Sequence, residues 1–219
     1  MNQEMRKIIQ VFGGTALVAT SINLKAETMT PAPIATVKVQ NAFTLDHPTA
    51  LDFGTIRAKA VVTSTGADNV VGGDFSTITL ASIDGVSTVS AVGATAIMQT
   101  LIPGTAGIFT IAGVAPFSFL TITLPTATPA APLVMTAGSA PPGTAYFLLH
   151  SFEATVTSGT KNGSAYTSPG DLTADTNGDA SFTLGAQLST SDPATGTTLT
   201  QGNYLDLDYT ATYTMEVNY

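Results

Sequence analysis

Residues 204–219 alternate in polarity without interruption. Leu205, Leu207, Tyr209, Ala211, Tyr213, Met215, Val217 and Tyr219 share one parity, and Asp206, Asp208, Thr210, Thr212, Thr214, Glu216 and Asn218 the other. Side chains on an extended chain point to opposite faces in turn, so this period of two predicts a long strand with one dry and one wet face. No Gly or Pro follows Gly202, so nothing in the run signals a break. At about 3.3 Å per residue it would span on the order of 50 Å. A lone strand leaves its backbone groups unpaired and its apolar face in water. The rest of the chain must therefore supply a sheet that accepts it, and the predicted class is all-β.

Composition agrees with that class. Only 10% of the 219 residues are charged, while 44% are hydrophobic, and Thr, Ser, Ala and Gly fill the gap. β-branched Thr and Val suit pleated surfaces. From residue 85 to 152 there is no Asp, Glu, Lys or Arg. Gly and Pro recur too often in that stretch for a membrane-spanning helix, and short β-like pieces with turn signals every 8–12 residues suggest a sandwich or barrel. A solvent face of Thr and Ser keeps such strands soluble but leaves few charges to prevent edge-to-edge pairing. The net charge of −8 argues against a nucleic-acid partner, since phosphate contacts need Lys and Arg. With no Cys, disulfides and thiolate metal sites are excluded.

Residues 1–26 read as a secretory signal: Arg6 and Lys7 are followed by a largely apolar run that Lys25-Ala26 closes, with cleavage after Ala26 or after Ser21. Its removal leaves no membrane span in the mature chain, and residues 27–219 are expected to form one domain. Residues 35–45 alternate, with Ala35, Val37, Val39, Phe43 and Leu45 on one face, and read as a strand that His47-Pro48 breaks. Residues 147–156 and 180–184 read as further strands, and 189–196 as a loop.

No catalytic constellation stands out, and no enzymatic activity or cofactor is expected. Asp175, Asn177 and Asp179 have the alternate spacing of a calcium loop. However, Ala180 and Ala186 occupy the positions where an EF-hand wants Gly and Glu, and Asn177-Gly178 is equally a hairpin turn. His47 and His150, the two histidines, have no sequence-adjacent partner and read as surface or structural residues. Asp206 and Asp208 share a strand face, compatible with paired carboxylates or with a solvated edge. Tyr166, Tyr204, Tyr209 and Tyr213 fit a sugar platform or half-buried sheet aromatics.

The segments Leu51-Asp52-Phe53-Gly54-Thr55-Ile56, Gly107-Ile108-Phe109-Thr110-Ile111-Ala112-Gly113, Ile122-Thr123-Leu124-Pro125 and Leu184-Gly185-Ala186-Gln187-Leu188 follow one another along the chain. Gly202-Asn203-Tyr204 and Val217-Asn218-Tyr219 complete the series. In this order they resemble a bacterial secreted family of unknown function whose members resemble chaperone–usher-type pilin subunits. That resemblance implies an immunoglobulin-like antiparallel β-sandwich, with strand donation as a means of completing it. It implies a surface filament built from copies of this chain, secreted through the periplasm with a chaperone and an outer-membrane assembly protein. It assigns Val37, Val39, Phe43 and Leu45 as donated residues, and Leu205, Leu207, Tyr209, Tyr213, Met215, Val217 and Tyr219 as a closing core strand beside the accepting groove. Residues 35–45 fit a neighbour's groove and their own subunit's sheet alike. The other expected function is a monomeric extracellular module that binds carbohydrate or a surface.

Overall fold

The computed structural model describes residues 42–61, 74–93, 95–191 and 202–219, all within one compact unit, Gln40–Tyr219. The expected leader and the candidates Val37 and Val39 lie outside the described residues. The first six strands are β1 (Thr44–Thr49), β2 (Thr55–Lys59), β3 (Phe75–Leu80), β4 (Ser87–Val92), β5 (Ile97–Ile102) and β6 (Gly107–Ala112). Then come β7 (Phe119–Thr123), β8 (Leu133–Met135), β9 (Phe147–Val156), β10 (Leu172–Thr173), β11 (Ala180–Thr190) and β12 (Glu216–Asn218). Among the described residues the one helical element is a 3-10 turn, Gly159–Lys161. The fold is all-β and antiparallel, a sandwich.

β11 organises it. Along one side, residues 182–190 pair with β9. Along the other, two strands share it end to end, β6 against 180–184 and β3 against 186–189. Gly185 stands at the fork: a Cβ there would collide with the Leu80 carbonyl and the Ser82 amide, where the chain leaves β3. On the β9 side the register slips opposite Gly185, and Ser151 takes φ 53° in the extra residue's kink. The sheet ends in three strands: β1 beyond β6, β4 beyond β3, and β8 beyond β9. The sequence pattern ended this strand at 184, because Gly185 breaks the apolar run and the Ser and Thr beyond it look solvated. In the structure Ser189, Thr190 and Ser191 are fully buried.

The second layer is split in two. The sheet β10-β7-β12 covers the first half of β11, where Phe182 and Leu184 pack with Ile111, Leu120, Ile122 and Val217. The ribbon β2-β5 covers the second half, where Ala186 and Leu188 pack with Phe53, Ile78, Leu80, Met98 and Phe147. Each fully buried Leu, Ile or Phe contributes about 1.5–3 kcal/mol against exposure. Much of the opposite face of the seven-stranded sheet is hydroxyl-lined, yet in places closed to water. Ser82 Oγ lies 2.7 Å from Thr155 Oγ1, Thr183 Oγ1 donates to the Ser82 carbonyl at 2.5 Å, and Thr77 Oγ1 lies 2.6 Å from Ser189 Oγ. These buried hydroxyls are tolerated because they find partners, whereas Ser191 Oγ has none.

Two expectations need correction. His47-Pro48 does not end β1, which continues to Thr49 with a register slip between Asp46 and Thr49; an edge strand absorbs the missing Pro48 N–H in that irregularity. The C-terminal run is not one long ladder. It bridges Lys59 at Asn203 and Thr136 at Thr210, and joins a ladder only as β12 against β7. It crosses the second layer from the β2-β5 ribbon to the β7 sheet, so no single neighbour accompanies it. Side-chain alternation survives because it follows from extended backbone, not from pairing. Tyr209, Ala211, Tyr213, Met215 and Val217 face inward, and Thr210, Thr212, Thr214, Glu216 and Asn218 face water. The inward parity fails at Leu207 and Tyr219, 43% and 47% exposed.

Candidate functional site

Between the segment that leads into β2 and the C-terminal run, the second layer leaves a groove. β2 and the C-terminal run meet at Lys59 and Asn203, where the Ala60 N–H also donates to the Gly202 carbonyl at 2.6 Å. Between residues 50–56 on one rim and 204–210 on the other lies an open cavity of about 900 Å³. Met135, Phe147 and Leu188 of the large sheet also line it, as an apolar floor.

Both rims are built by local chemistry. Asp52 exchanges main-chain hydrogen bonds with Thr105 (2.7 and 3.0 Å), and its Oδ1 accepts the Gly54 N–H at 2.8 Å. Phe53 is buried in the core. Gly54 has φ 77°, and a Cβ there would strike the Ile102 carbonyl, while one on Gly104 would strike Asp52. These two glycines let the rim lie directly on the β5–β6 turn. The opposite rim is pinned by rings. Tyr204 stacks on Phe147 at 4.0 Å, and Tyr209 meets both edge-on at 5.7 and 5.0 Å. The Tyr204 hydroxyl accepts the Ser191 N–H (3.1 Å) and donates to the Tyr146 carbonyl (2.8 Å). Burial pushes this phenol well above its ordinary range. Tyr209 Oη accepts the Leu205 N–H at 3.0 Å.

Main-chain groups on both rims lack partners. β2 is laddered to β5 alone. Among the described residues, Asp206, Asp208 and Tyr209 donate no backbone hydrogen bond, and neither do residues 211–215. The groove also gathers three carboxylates, because Asp52, Asp206 and Asp208 all line it. The sequence paired Asp206 with Asp208; only the fold adds Asp52.

The other sequence candidates are placed elsewhere. Phe43 packs on the first core and meets Tyr219 edge-on at 5.5 Å. Leu45 pairs with Ile111 from β1 and is half exposed. Of the proposed donor residues, these two are therefore occupied within their own subunit. Leu205, Leu207 and Tyr209 line the groove, while Tyr213, Met215 and Val217 pack on the first core. Tyr166 Oη accepts the Ile122 N–H at 2.8 Å, so its hydroxyl serves the fold. Asp175 Oδ1 accepts the Asn177 and Asp179 N–H groups at 2.7 and 2.9 Å, and these bonds hold its carboxyl below the usual range. Asp175 thus caps a turn, and no metal-binding cluster occurs among the described residues.

Of the two readings the sequence left open for the histidines, surface or structural, His150 takes the structural one. It is 2% exposed, with Nδ1 2.9 Å from Ser151 Oγ and Nε2 3.0 Å from Ser189 Oγ, which continues to Thr77. Burial lowers its pKa to about 4, so the imidazole is neutral near pH 7 and bridges β9 to β11. A His in a run of otherwise apolar residues, Phe147-Leu148-Leu149, was the available signal. Compared with protein-family models, with curated proteins and with solved structures, the chain matches none.

Proposed function

We propose that this chain is a secreted structural subunit of a surface filament, and that the groove beside the C-terminal run accepts an extended segment from another copy. What supports the reading is the combination of two rims with unpartnered main-chain groups over an apolar floor. An added strand satisfies those groups by backbone hydrogen bonding and places alternate side chains in the floor, the physics of β-augmentation. The segment proposed to be donated lies ahead of β1. With Phe43 and Leu45 occupied within their own subunit, its inward residues are Val37 and Val39. On this reading residues 1–26 are a signal removed on export. A periplasmic chaperone holds the groove until an outer-membrane assembly protein passes the subunit on, and the immunoglobulin-like completion of the sandwich comes from the donated strand.

The test is assembly of the full mature chain, followed by light scattering and negative-stain microscopy. Wild type is expected to form concentration-dependent filaments, and Val39→Asp to remain folded and unassembled, because it brings a charge to an apolar floor. Filaments of normal length from Val39→Asp, or a strictly monomeric wild type at high concentration, overturn the proposal. The second reading, a carbohydrate- or surface-binding module, draws on Asp52, Asp206 and Asp208 beside one groove. It expects a glycan-array signal that Asp206→Asn with Asp208→Asn abolishes, and silence across the array removes it.

A further inference from the structure

The seven-stranded sheet ends in three strands, β1, β4 and the three-residue β8, and the two six-residue ones, β1 and β4, differ in chemistry. β1 carries Asp46, His47 and Pro48 and a register slip. Charge, a missing N–H and an irregular ladder are the devices that prevent an edge from being extended. β4 has none of them. Its sequence is Ser-Thr-Val-Ser-Ala-Val, and it pairs with β3 from Phe75↔Val92 to Leu80↔Ser87 without a slip. Among the described residues it is hydrogen-bonded into a sheet on that side alone, and Thr88, Val89, Ser90, Ala91 and Val92 are all exposed. The Ala81 N–H donates to the Val86 carbonyl at 3.1 Å. Antiparallel pairs alternate, so Ser87, Val89 and Ala91 turn their main-chain groups away from β3.

We propose that β4 pairs antiparallel with β4 of a second copy, about a two-fold axis at Val89. The occupant follows from charge. The chain carries −8 overall, so copies of it repel at most approaches. β4 itself has no Asp, Glu, Lys or Arg, and the nearest carboxylates, Asp84 before the strand and Asp74 beside Gly93 after it, lie beyond its two ends, so the paired residues 87–91 oppose no like charges. The register is self-complementary: Val89 faces Val89, Ser87 faces Ala91, and about six main-chain hydrogen bonds form. Such an interface is isologous and closes on itself. It pairs subunits side by side and does not depend on the groove's being an acceptor.

The chain has no native Cys, so Val89→Cys gives a unique reporter. Hydrogen-bonded antiparallel residues have Cα atoms about 5.5 Å apart, within disulfide reach. The control is Ile83→Cys, outside the strand and more exposed, 62% against 46%. Full mature chains are oxidised at low concentration and resolved on non-reducing gels, with and without Val39→Asp to separate this contact from strand donation. V89C is expected to form covalent dimers at least about ten-fold faster than I83C in both backgrounds. In the chain without Cys, V89K is expected to abolish the dimer in sedimentation velocity while the far-ultraviolet spectrum stays unchanged. Equal cross-linking of V89C and I83C, or an unchanged V89K mass distribution, overturns the proposal. So does V89C cross-linking that disappears with V39D, or that captures a Val37→Cys chain in preference to itself, since β4 would then receive the donated segment.

Discussion

Mild acidification should weaken this fold, and one buried side chain sets the size of the effect. His150 sits between β9 and β11 with both ring nitrogens on serine hydroxyls and almost no exposure. Burial lowers its pKa from 6.5 to about 4. In the unfolded chain it takes up a proton near pH 6.5; in the fold it resists until about pH 4. The unfolded state therefore binds more protons across that window, and stability falls as pH falls through it. At about 1.4 kcal/mol per pH unit the full loss is about 3 kcal/mol, a sizeable part of a typical 5–15 kcal/mol total. The contribution is fully present above about pH 6.5 and fully lost below about pH 4. Urea denaturation at half-unit steps from pH 7.5 to 4 measures it, with His150→Gln as the comparison, since an amide bonds to both hydroxyls without titrating. The variant should lose some packing at pH 7.5 and show a much flatter pH dependence. A variant slope equal to the wild-type slope, or a His150 resonance titrating near pH 6.5, would refute the reasoning.

Three further outcomes follow from the same structure. Gly185→Ala should cost about 1–3 kcal/mol, because a Cβ drives the Leu80–Ser82 backbone off β11; a urea midpoint within error of wild type contradicts the fork geometry. Tyr204→Phe should cost about 1–3 kcal/mol by leaving the Ser191 N–H and the Tyr146 carbonyl unpaired. It should also loosen the groove's rim, visible as faster amide exchange in residues 204–210. Calcium at millimolar concentration should leave the melting temperature unchanged, because Asp175 Oδ1 already accepts two main-chain N–H groups; a calcium-dependent rise would show that the turn opens to bind.

The alternation at 209–217 was legible as sequence because it is local. A period of two needs only extended backbone, whereas the glycine at 54 is demanded by its φ and by the backbone of residues 102–104, brought there by the fold. The all-β class followed from the same kind of signal, repeated along the chain. The length of β11 was not legible. Gly185 and Ser189 read as breakers until β3, β6 and β9 are placed around them, because whether a hydroxyl faces water or a buried partner is decided by residues over one hundred positions away, as for Thr77 and Ser189. Nor was the groove visible in the residues. It arises between residues 50–56 and 204–210, and an unfilled gap between distant segments leaves no mark on the sequence of either.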